Sequence, residues 1–133
     1  MARFTVNVDG GARGNPGPAA IGVVLRDADG KIVERVGETI GETTNNVAEY
    51  RALLRGVELA VAHGATDLEL IGDSELVVRQ IEGRYKVKHP GMKELHAQAR
   101  AALAGLDNWS IRHVRRDENG DADALVNEAL DGA

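Results

Sequence analysis

Residues 31–64 read KIVERVGETIGETTNNVAEYRALLRGVELAVAHG, and the spacing of apolar residues changes within this stretch. Residues 31–40 are predicted to be a strand, whereas from Val47 the apolar side chains recur every three or four residues. That spacing is typical of an amphipathic helix, which we expect to end near His63 and Gly64. The stretch therefore predicts a strand followed by a helix in one protein.

The sequence before this stretch predicts two more strands. Residues 4–9 alternate between apolar and polar side chains, and we expect the first strand to end at Asp9 because Asp-Gly-Gly signals a turn. A segment rich in glycine and proline, residues 10–18, separates it from a second strand at residues 20–26. Residues 28–30, Ala-Asp-Gly, form a hairpin turn into the third strand, so the three strands should be an antiparallel meander.

The C-terminal half predicts shorter strands alternating with helices. In order, the predicted elements are a buried strand at 68–71, a helix capped by Asp73-Ser74 and ending near Glu82, an irregular basic segment at 83–91, a helix at 92–106, a strand at 109–114 and a helix at 119–130. This order predicts an α/β protein with a mixed five-stranded sheet and helices on both faces. The length is that of one domain, so we expect a single domain over residues 1–133.

Composition and charge restrict the class of protein. The chain has no cysteine, which excludes disulfides and thiolate metal sites. It has no apolar leader and no run of 18 apolar residues, so we expect no membrane association and a cytoplasmic location. Exposed apolar stripes are not obvious, so a monomer is the default expectation. A net charge of -5 argues against a nucleic-acid partner unless some acids are clustered to bind divalent cations.

Four acidic residues are expected to form such a cluster. If the strand at 68–71 pairs in parallel beside the first strand, Asp9 and Asp73 emerge side by side at one edge. Glu49 lies in the first turn of the predicted crossover helix and points to the same edge, where the helix dipole stabilises its charge. A last strand parallel to the fourth would bring Asp123, at the start of the final helix, to that edge as well.

Each of these acids also has a purely structural explanation. Asp9 could open a turn, Asp73 could cap a helix, Glu49 could close a capping box with Asn46, and Asp123 could simply favour a helix N-terminus. Together, however, four converging carboxylates would repel one another and raise their own pKa values unless a cation compensates. Carboxylate oxygens suit Mg²⁺ or Mn²⁺, and two such ions could hydrolyse a phosphodiester.

Four segments, in this order, resemble type 1 ribonuclease H: DGGARGNPGP at 9–18, TTNNVAEY at 43–50, GDS at 72–74 and NGDADAL at 119–125. The resemblance implies a sheet in the order 3-2-1-4-5. It also implies hydrolysis of the RNA strand of RNA/DNA hybrids with two Mg²⁺ ions, for which Mn²⁺ can substitute, leaving 5'-phosphate and 3'-hydroxyl ends. Asp9, Glu49, Asp73 and Asp123 would be the catalytic acids and the metal ligands.

The resemblance also implies contacts to the substrate. Gly11, Asn15, Asn45 and Asn46 would lie along the minor groove of the hybrid, where they could hydrogen-bond 2'-hydroxyl groups. Thr44 would contact a phosphate of the DNA strand. The structural alternative is that the glycines only permit a turn and that an asparagine only caps the helix.

The chain departs from many family members in two places. The loop before the last acid reads VRRDE at 114–118, so Arg116, or alternatively Arg115, replaces a catalytic histidine. An arginine there would hold the scissile phosphate or assist product release. An inserted basic helix is also missing, which leaves a basic patch of Arg84, Lys86, Lys88 and Lys93. This patch either binds substrate, for which Arg84, Lys86 and Lys88 are the candidates, or is simply a solvated face.

Two other functions remain compatible with the sequence. The first is a related nuclease that cuts double-stranded RNA or branched DNA, because the four acids would serve it equally. The second is a non-catalytic hybrid-binding module, although no acid is missing. The sequence leaves open the preferred metal, the oligomeric state and whether the chain is a free protein or part of a longer fusion.

Overall fold

The structure, a computed structural model, describes residues 2–132. The strands are β1 (Arg3–Ala12), β2 (Gly17–Arg26), β3 (Ile32–Thr43), β4 (Asp67–Gly72) and β5 (Asn108–His113). The helices are α1 (Asn45–Ala62), α2 (Glu75–Ile81), α3 (Pro90–Ala104) and α4 (Gly120–Asp131), and a 3₁₀ turn (Arg116–Glu118) precedes α4.

The five strands form one sheet in the order β3-β2-β1-β4-β5. The β1–β2 and β2–β3 pairs are antiparallel, whereas the β1–β4 and β4–β5 pairs are parallel. This confirms the predicted mixed sheet and its strand order. Val8 of β1 pairs with Gly72 of β4, so Asp9 and Asp73 follow their partners at the same place in the register.

Helices cover both faces of the sheet, as predicted. A side chain at Gly10 would point into the backbone of α1, whereas one at the next residue, Gly11, would face Val126 of α4. Because successive strand residues point to opposite faces, α1 and α4 lie on opposite sides of the sheet. Helix α3 packs on α1, and α2 contacts α3 and β5. Over residues 2–132 no helix combines the length and apolarity needed to cross a membrane.

Aliphatic side chains fill the core between these layers. Tyr50 of α1 is the one aromatic residue that is fully buried among residues 2–132, and its hydroxyl donates to Gln80 Oε1 at 2.5 Å. The other large, fully buried side chains are Leu25, Leu53, Leu68, Leu70, Ile81, Leu103, Val6, Val23, Val24, Val57 and Val78. A small aromatic content is thus compensated by close aliphatic packing.

The predicted end of the first strand was wrong. β1 continues beyond Asp9 to Ala12, and Gly10 still pairs with Ile21 of β2. The glycine is needed there for a different reason, because a Cβ atom at Gly10 would lie 2.3 Å from the carbonyl carbon of Ala48 in α1. The Asp-Gly-Gly sequence therefore marks a close approach of helix and strand rather than a turn.

Helix α1 begins at Asn45, two residues earlier than the apolar spacing indicated. Its N-cap is Thr44, whose Oγ1 accepts a hydrogen bond from Val47 N at 3.3 Å. Glu49 consequently falls in the second turn rather than the first. The capping box between Glu49 and Asn46 is not formed, because the glutamate carboxylate is hydrogen-bonded elsewhere.

The remaining boundaries differ by a few residues, mostly at paired strand ends. β2 begins at Gly17 and β3 ends at Thr43, each three residues beyond the predicted end, because these two residues pair with each other. Ser74, rather than Asp73, caps α2 by accepting from Val77 N at 3.4 Å. Helix α3, β5 and α4 are shifted by one or two residues from the predicted ranges.

We expect Gly22→Ala to destabilise the protein, because it would disturb the contact that holds α4 on the sheet. A Cβ atom at Gly22 of β2 would lie 2.2 Å from the carbonyl oxygen of Ala122. Overpacking of this kind costs about 1–3 kcal/mol, which urea denaturation can measure. Gly120→Ala is the matched control, since a Cβ atom there has no neighbour within 4 Å. Equal stability of the two variants would contradict this account of α4 packing.

Candidate active site

Three carboxylates meet where β1, α1 and β4 come together. One oxygen from each of Asp9, Glu49 and Asp73 can be chosen so that all three lie within 4.8 Å of one another. Asp9 is 6% exposed and Glu49 8%, whereas Asp73, which directly follows β4, is partly exposed. The parallel pairing of β1 and β4 brings the two aspartates together, as the sequence argument expected.

Glu49 is fixed by the backbone of β1. Gly10 N donates to Glu49 Oε1 at 2.7 Å, and this hydrogen bond is buried. The absence of a side chain at Gly10 lets α1 approach closely enough for the bond to form. Gly10 therefore has two effects: it permits the close approach of α1, and its N–H orients the Glu49 carboxylate.

Asp123, in the first turn of α4, is the fourth acid. Its Oδ1 accepts from Arg116 Nη2 at 3.1 Å and from Arg116 Nε at 3.3 Å. The Asp123 side chain is 26% exposed and the Arg116 side chain 77% exposed. This hydrogen bonding raises the pKa of Arg116 above its ordinary value, so the arginine stays charged.

The two buried acids carry an electrostatic cost. Burial, together with the charges of Asp73 and Asp123, raises the pKa of Asp9 to about 7, although hydrogen bonding to Glu49 opposes the rise. The pKa of Glu49 is raised well above its ordinary value, first by burial and then by the charge of Asp9. In the part of the chain that the structure describes, Asp9, Glu49 and Asp73 have no Lys or Arg salt-bridge partner.

All four acids line one open cleft of about 490 Å³. Of the residues predicted to contact substrate, Gly11, Asn45 and Asn46 line it too, whereas Asn15 and Thr44 do not. Asn15 is exposed in the loop between β1 and β2, and Thr44 is the N-cap of α1.

Two asparagines, Asn15 and Asn45, connect the loop after β1 to the start of α1. Asn15 Oδ1 accepts from Asn45 N at 3.0 Å, and Asn45 Oδ1 accepts from Ala12 N at 2.9 Å. Both bonds are exposed and join residues at least 30 positions apart in the chain. They fix the position of the loop relative to the start of α1.

The geometry distinguishes the two arginines of the loop before α4. Arg116 lines the cleft and pairs with Asp123. Arg115 instead pairs with Asp117 at 3.6 Å and Glu118 at 3.4 Å, away from the four acids. Of the two candidates left open by the sequence, Arg116 is the one at the cleft.

The predicted basic patch does not line this cleft. Arg84, Lys86 and Lys88 are exposed in the segment between α2 and α3, and Arg84 approaches Glu82 only to 4.0 Å. Lys86 belongs to a separate open depression of about 440 Å³ that also includes Tyr85. Helix α2, whose seven residues span about 10 Å at 1.5 Å per residue, lies in the chain between Ser74 at the cleft and the basic patch.

Asn119 has no predicted role from the sequence, and the structure places it at the start of α4, where it is 1% exposed. Its Nδ2 donates to Val8 O at 2.9 Å and to Asp73 Oδ2 at 3.4 Å. Asn119 begins the NGDADAL segment, but its burial and its partner across 46 positions depend on the tertiary fold. Only its position at the start of this motif could have pointed to Asn119 from the sequence.

Comparisons with known proteins agree with this arrangement. The family described as "Reverse transcriptase-like" matches residues 7–129. Ribonuclease HI of Halobacterium salinarum is 52% identical over 94% of this chain, which spans 63% of that protein's length. This chain spans only 36% of mycobacterial relatives that are 44% identical, among them a protein described as bifunctional.

Solved structures match over the whole fold. The crystal structure of RNase H1 from Halobacterium salinarum has a TM-score of 0.96 and 50% identity, covering 98% of this chain and 99% of that one. LC11-RNase H1, solved in complex with an RNA/DNA hybrid, has a TM-score of 0.92 and 46% identity, covering 97% of each chain. With the strand order, the carboxylate cleft and these similarities together, the chain belongs to the type 1 ribonuclease H family.

Proposed function

We propose that this chain is an endonuclease that hydrolyses the RNA strand of RNA/DNA hybrids with the help of divalent cations. The observation that carries the proposal is the group of three converging carboxylates, two of them buried and none with a basic partner among residues 2–132, in an open cleft. The hybrid is proposed as substrate because a relative at 46% identity was solved with one bound.

The donor set of the cleft fits Mg²⁺, with Mn²⁺ as a substitute. Hard carboxylate oxygens with open positions facing solvent are the ligands these ions prefer. Asp9, Glu49 and Asp73 would bind, with Asp123 at the open side, and their negative charge would then be compensated. Two such ions would supply activation of the attacking water and charge stabilisation at the leaving oxygen.

The residues of the chain orient the reacting groups. In the proposed reaction, water adds to phosphorus, the bond from phosphorus to the 3'-oxygen breaks, and the 3'-oxygen leaves as a hydroxyl, so the other product carries a 5'-phosphate. Gly10 N holds Glu49 in a fixed orientation at the cluster. Arg116, at the exposed edge of the cleft, would bind the scissile phosphate through its guanidinium.

Contacts that distinguish RNA from DNA are proposed along the cleft wall. Asn45 uses its Oδ1 to accept from Ala12 N, and no acceptor within residues 2–132 takes its amide NH₂. That NH₂ group, with Asn46 and the backbone at Gly11, could hydrogen-bond 2'-hydroxyls. Asn15 would act by holding Asn45 in place.

Two further contacts to the hybrid backbone are proposed outside the cleft. The Thr44 hydroxyl accepts from Val47 N, which leaves its O–H able to donate to a phosphate of the DNA strand. Arg84, Lys86 and Lys88 would contact phosphates farther along the duplex, since the segment between α2 and α3 is exposed and basic. Such contacts would make affinity fall with rising salt.

The proposal predicts that Asp73→Asn abolishes cleavage of a hybrid labelled on its RNA strand, with either Mg²⁺ or Mn²⁺. The amide keeps the shape of the carboxylate but loses its charge and its ability to hold a cation. Asp121→Asn is the matched control, because Asp121 is an exposed carboxylate in the first turn of α4 that neither lines the cleft nor belongs to the three-acid group. It should cleave at close to the wild-type rate.

A panel of duplexes in the same assay separates the remaining functions. The proposal is supported if the hybrid is cleaved while double-stranded RNA, double-stranded DNA and branched DNA stay intact. Preferential cutting of double-stranded RNA or branched DNA would instead identify a related nuclease. Hybrid binding without cleavage of any duplex, with both metals, would identify a non-catalytic binding module.

We expect Arg116→Ala to lower kcat on the hybrid by roughly 10²-fold, the usual loss when a group that stabilises transition-state charge is removed. Arg115→Ala, which removes an exposed pair away from the cleft, is the control and should change kcat little. Steady-state kinetics at saturating hybrid and Mg²⁺ make the comparison. If Arg115→Ala lowers kcat more than Arg116→Ala, the assignment of the loop arginine is wrong.

Without divalent cations, the free energy of unfolding should fall as pH rises from about 4 to about 7. The pKa of Asp9 is about 7 in the folded protein and 3.8 as its ordinary value, so between these values the folded state binds the additional proton. At about 1.4 kcal/mol for each pKa unit, the loss is at most about 4 kcal/mol. Urea denaturation at several pH values should show this dependence much reduced in Asp9→Asn, and equal slopes would contradict it.

A further inference from the structure

A continuous chain of polar side chains runs behind the carboxylate cleft, from Arg26 of β2 to Asp73. Arg26 Nη1 donates to Asn7 Oδ1 at 3.0 Å, and Asn7 Nδ2 donates to Asn119 Oδ1 at 3.0 Å. Asn119 Nδ2 then donates to Asp73 Oδ2 at 3.4 Å and to Val8 O at 2.9 Å. Four side chains from β2, β1, the start of α4 and the end of β4 are thereby connected.

The chain has a direction, which Arg26 sets. A guanidinium has only donors, so Asn7 must turn its oxygen toward Arg26 and its NH₂ toward Asn119. Asn119 must in turn accept with its oxygen, which leaves its NH₂ for Asp73 and Val8. An arginine that touches neither the cleft nor the acids therefore determines which atom of Asn119 faces the carboxylate.

The opposite orientation of Asn119 would be costly. Turned over, its Oδ1 would face both Asp73 Oδ2 and Val8 O, so two hydrogen bonds would become contacts between acceptors. Asn119 is 1% exposed, and water could not easily replace the lost donor. The bond to Val8 O also connects Asn119 to the strand residue immediately before Asp9. One amide group therefore contacts both Asp73 and the backbone next to Asp9.

We propose that Arg26 and Asn7 are positioning residues, which act through Asn119 to hold the Asp73 carboxylate in the orientation required for cation binding. This inference rests on the proposed function, since it concerns the same carboxylate site. Neither residue would contact the cation or the hybrid. Partners that orient metal ligands in this way typically change metal affinity about 10- to 100-fold when removed.

The proposal can be tested because it predicts a change in cation affinity opposite to the one that charge alone predicts. Arg26→Leu removes a positive charge from the vicinity of the acids, which through space would tighten the binding of a cation. Loss of the hydrogen-bond direction should instead weaken it. We expect the Kd for Mn²⁺ of the substrate-free protein to rise about tenfold, measured from the free-ion signal in electron paramagnetic resonance.

Asn7→Asp gives a second variant with nearly unchanged shape. The new carboxylate still accepts from Arg26, which keeps it ionised, but it cannot donate to Asn119. It also adds a negative charge, so a through-space effect again predicts tighter Mn²⁺ binding, whereas the proposal predicts binding weakened to a similar extent as in Arg26→Leu. Arg26→Lys, which keeps a donor-only cation, should recover part of the affinity.

Asp121→Asn is the matched control for the charge of this network. Arg26 Nη2 donates to Asp121 Oδ2 at 2.7 Å, and Asp121 is 67% exposed. The asparagine removes one negative charge but leaves an acceptor for Arg26 and does not alter Asn7 or Asn119. The Kd for Mn²⁺ should stay within about twofold of the wild-type value, as for other exposed pairs.

The outcomes separate this inference from the proposed function. If the wild-type protein binds no Mn²⁺, the metal-dependent function itself fails. If it binds Mn²⁺ and both Arg26→Leu and Asn7→Asp bind it equally well or more tightly, the positioning role is overturned. Thermal unfolding followed by circular dichroism checks the fold of each variant, and should Arg26→Leu not fold, the isosteric Asn7→Asp decides alone.

Discussion

The fold must hold converging carboxylates close together against their mutual repulsion. Asp9, Glu49 and Asp73 bring oxygens within 4.8 Å of one another, and burial and neighbouring charges raise the pKa of Asp9 to about 7. Buried charges without a partner destabilise a fold, and a lysine or arginine at this place would compensate them. The single arginine paired with any of the four acids in the described chain, Arg116, contacts Asp123 at the exposed edge. Asp9, Glu49 and Asp73, the inner acids, have no such partner in this part of the chain, and a cation could compensate their charge.

Close packing of helices on the sheet holds these acids against their repulsion. Gly10 lets the backbone of α1 come near β1, and Glu49 is fixed there by the Gly10 N–H. On the other face, Gly22 allows α4 to approach β2, which brings Asp123 to the cleft. Backbone contacts of this kind deform little, so the positions of the carboxylates depend on the whole fold rather than on a mobile loop.

The sequence predicted the architecture well because apolar periodicity is a local signal and connection rules restrict the possible topologies. The change of apolar spacing between residues 31–40 and the helix from Val47 indicated strand and helix, and parallel pairing then brought Asp9 beside Asp73. It failed where tertiary contacts decide. The strand did not stop at Asp9, because Gly10 serves a helix contact rather than a turn, and the burial of Asn119 cannot be inferred from spacing. Amide partners across more than 40 positions are visible only in the fold.

The unequal exposure of the four acids also has a consequence for the proposed chemistry. The pair between Arg116 and Asp123 is exposed on the arginine side, where the side chain is 77% accessible, and such pairs contribute about 0–1 kcal/mol. In the proposed reaction, Arg116 would exchange Asp123 for a phosphate at small cost, which would leave Asp123 available to a cation. The inner acids have no such exchange, since Glu49 is fixed to Gly10 and Asp73 to Asn119. Hydrogen bonds to the rest of the fold therefore fix Glu49 and Asp73, whereas Asp123 pairs with an exposed arginine.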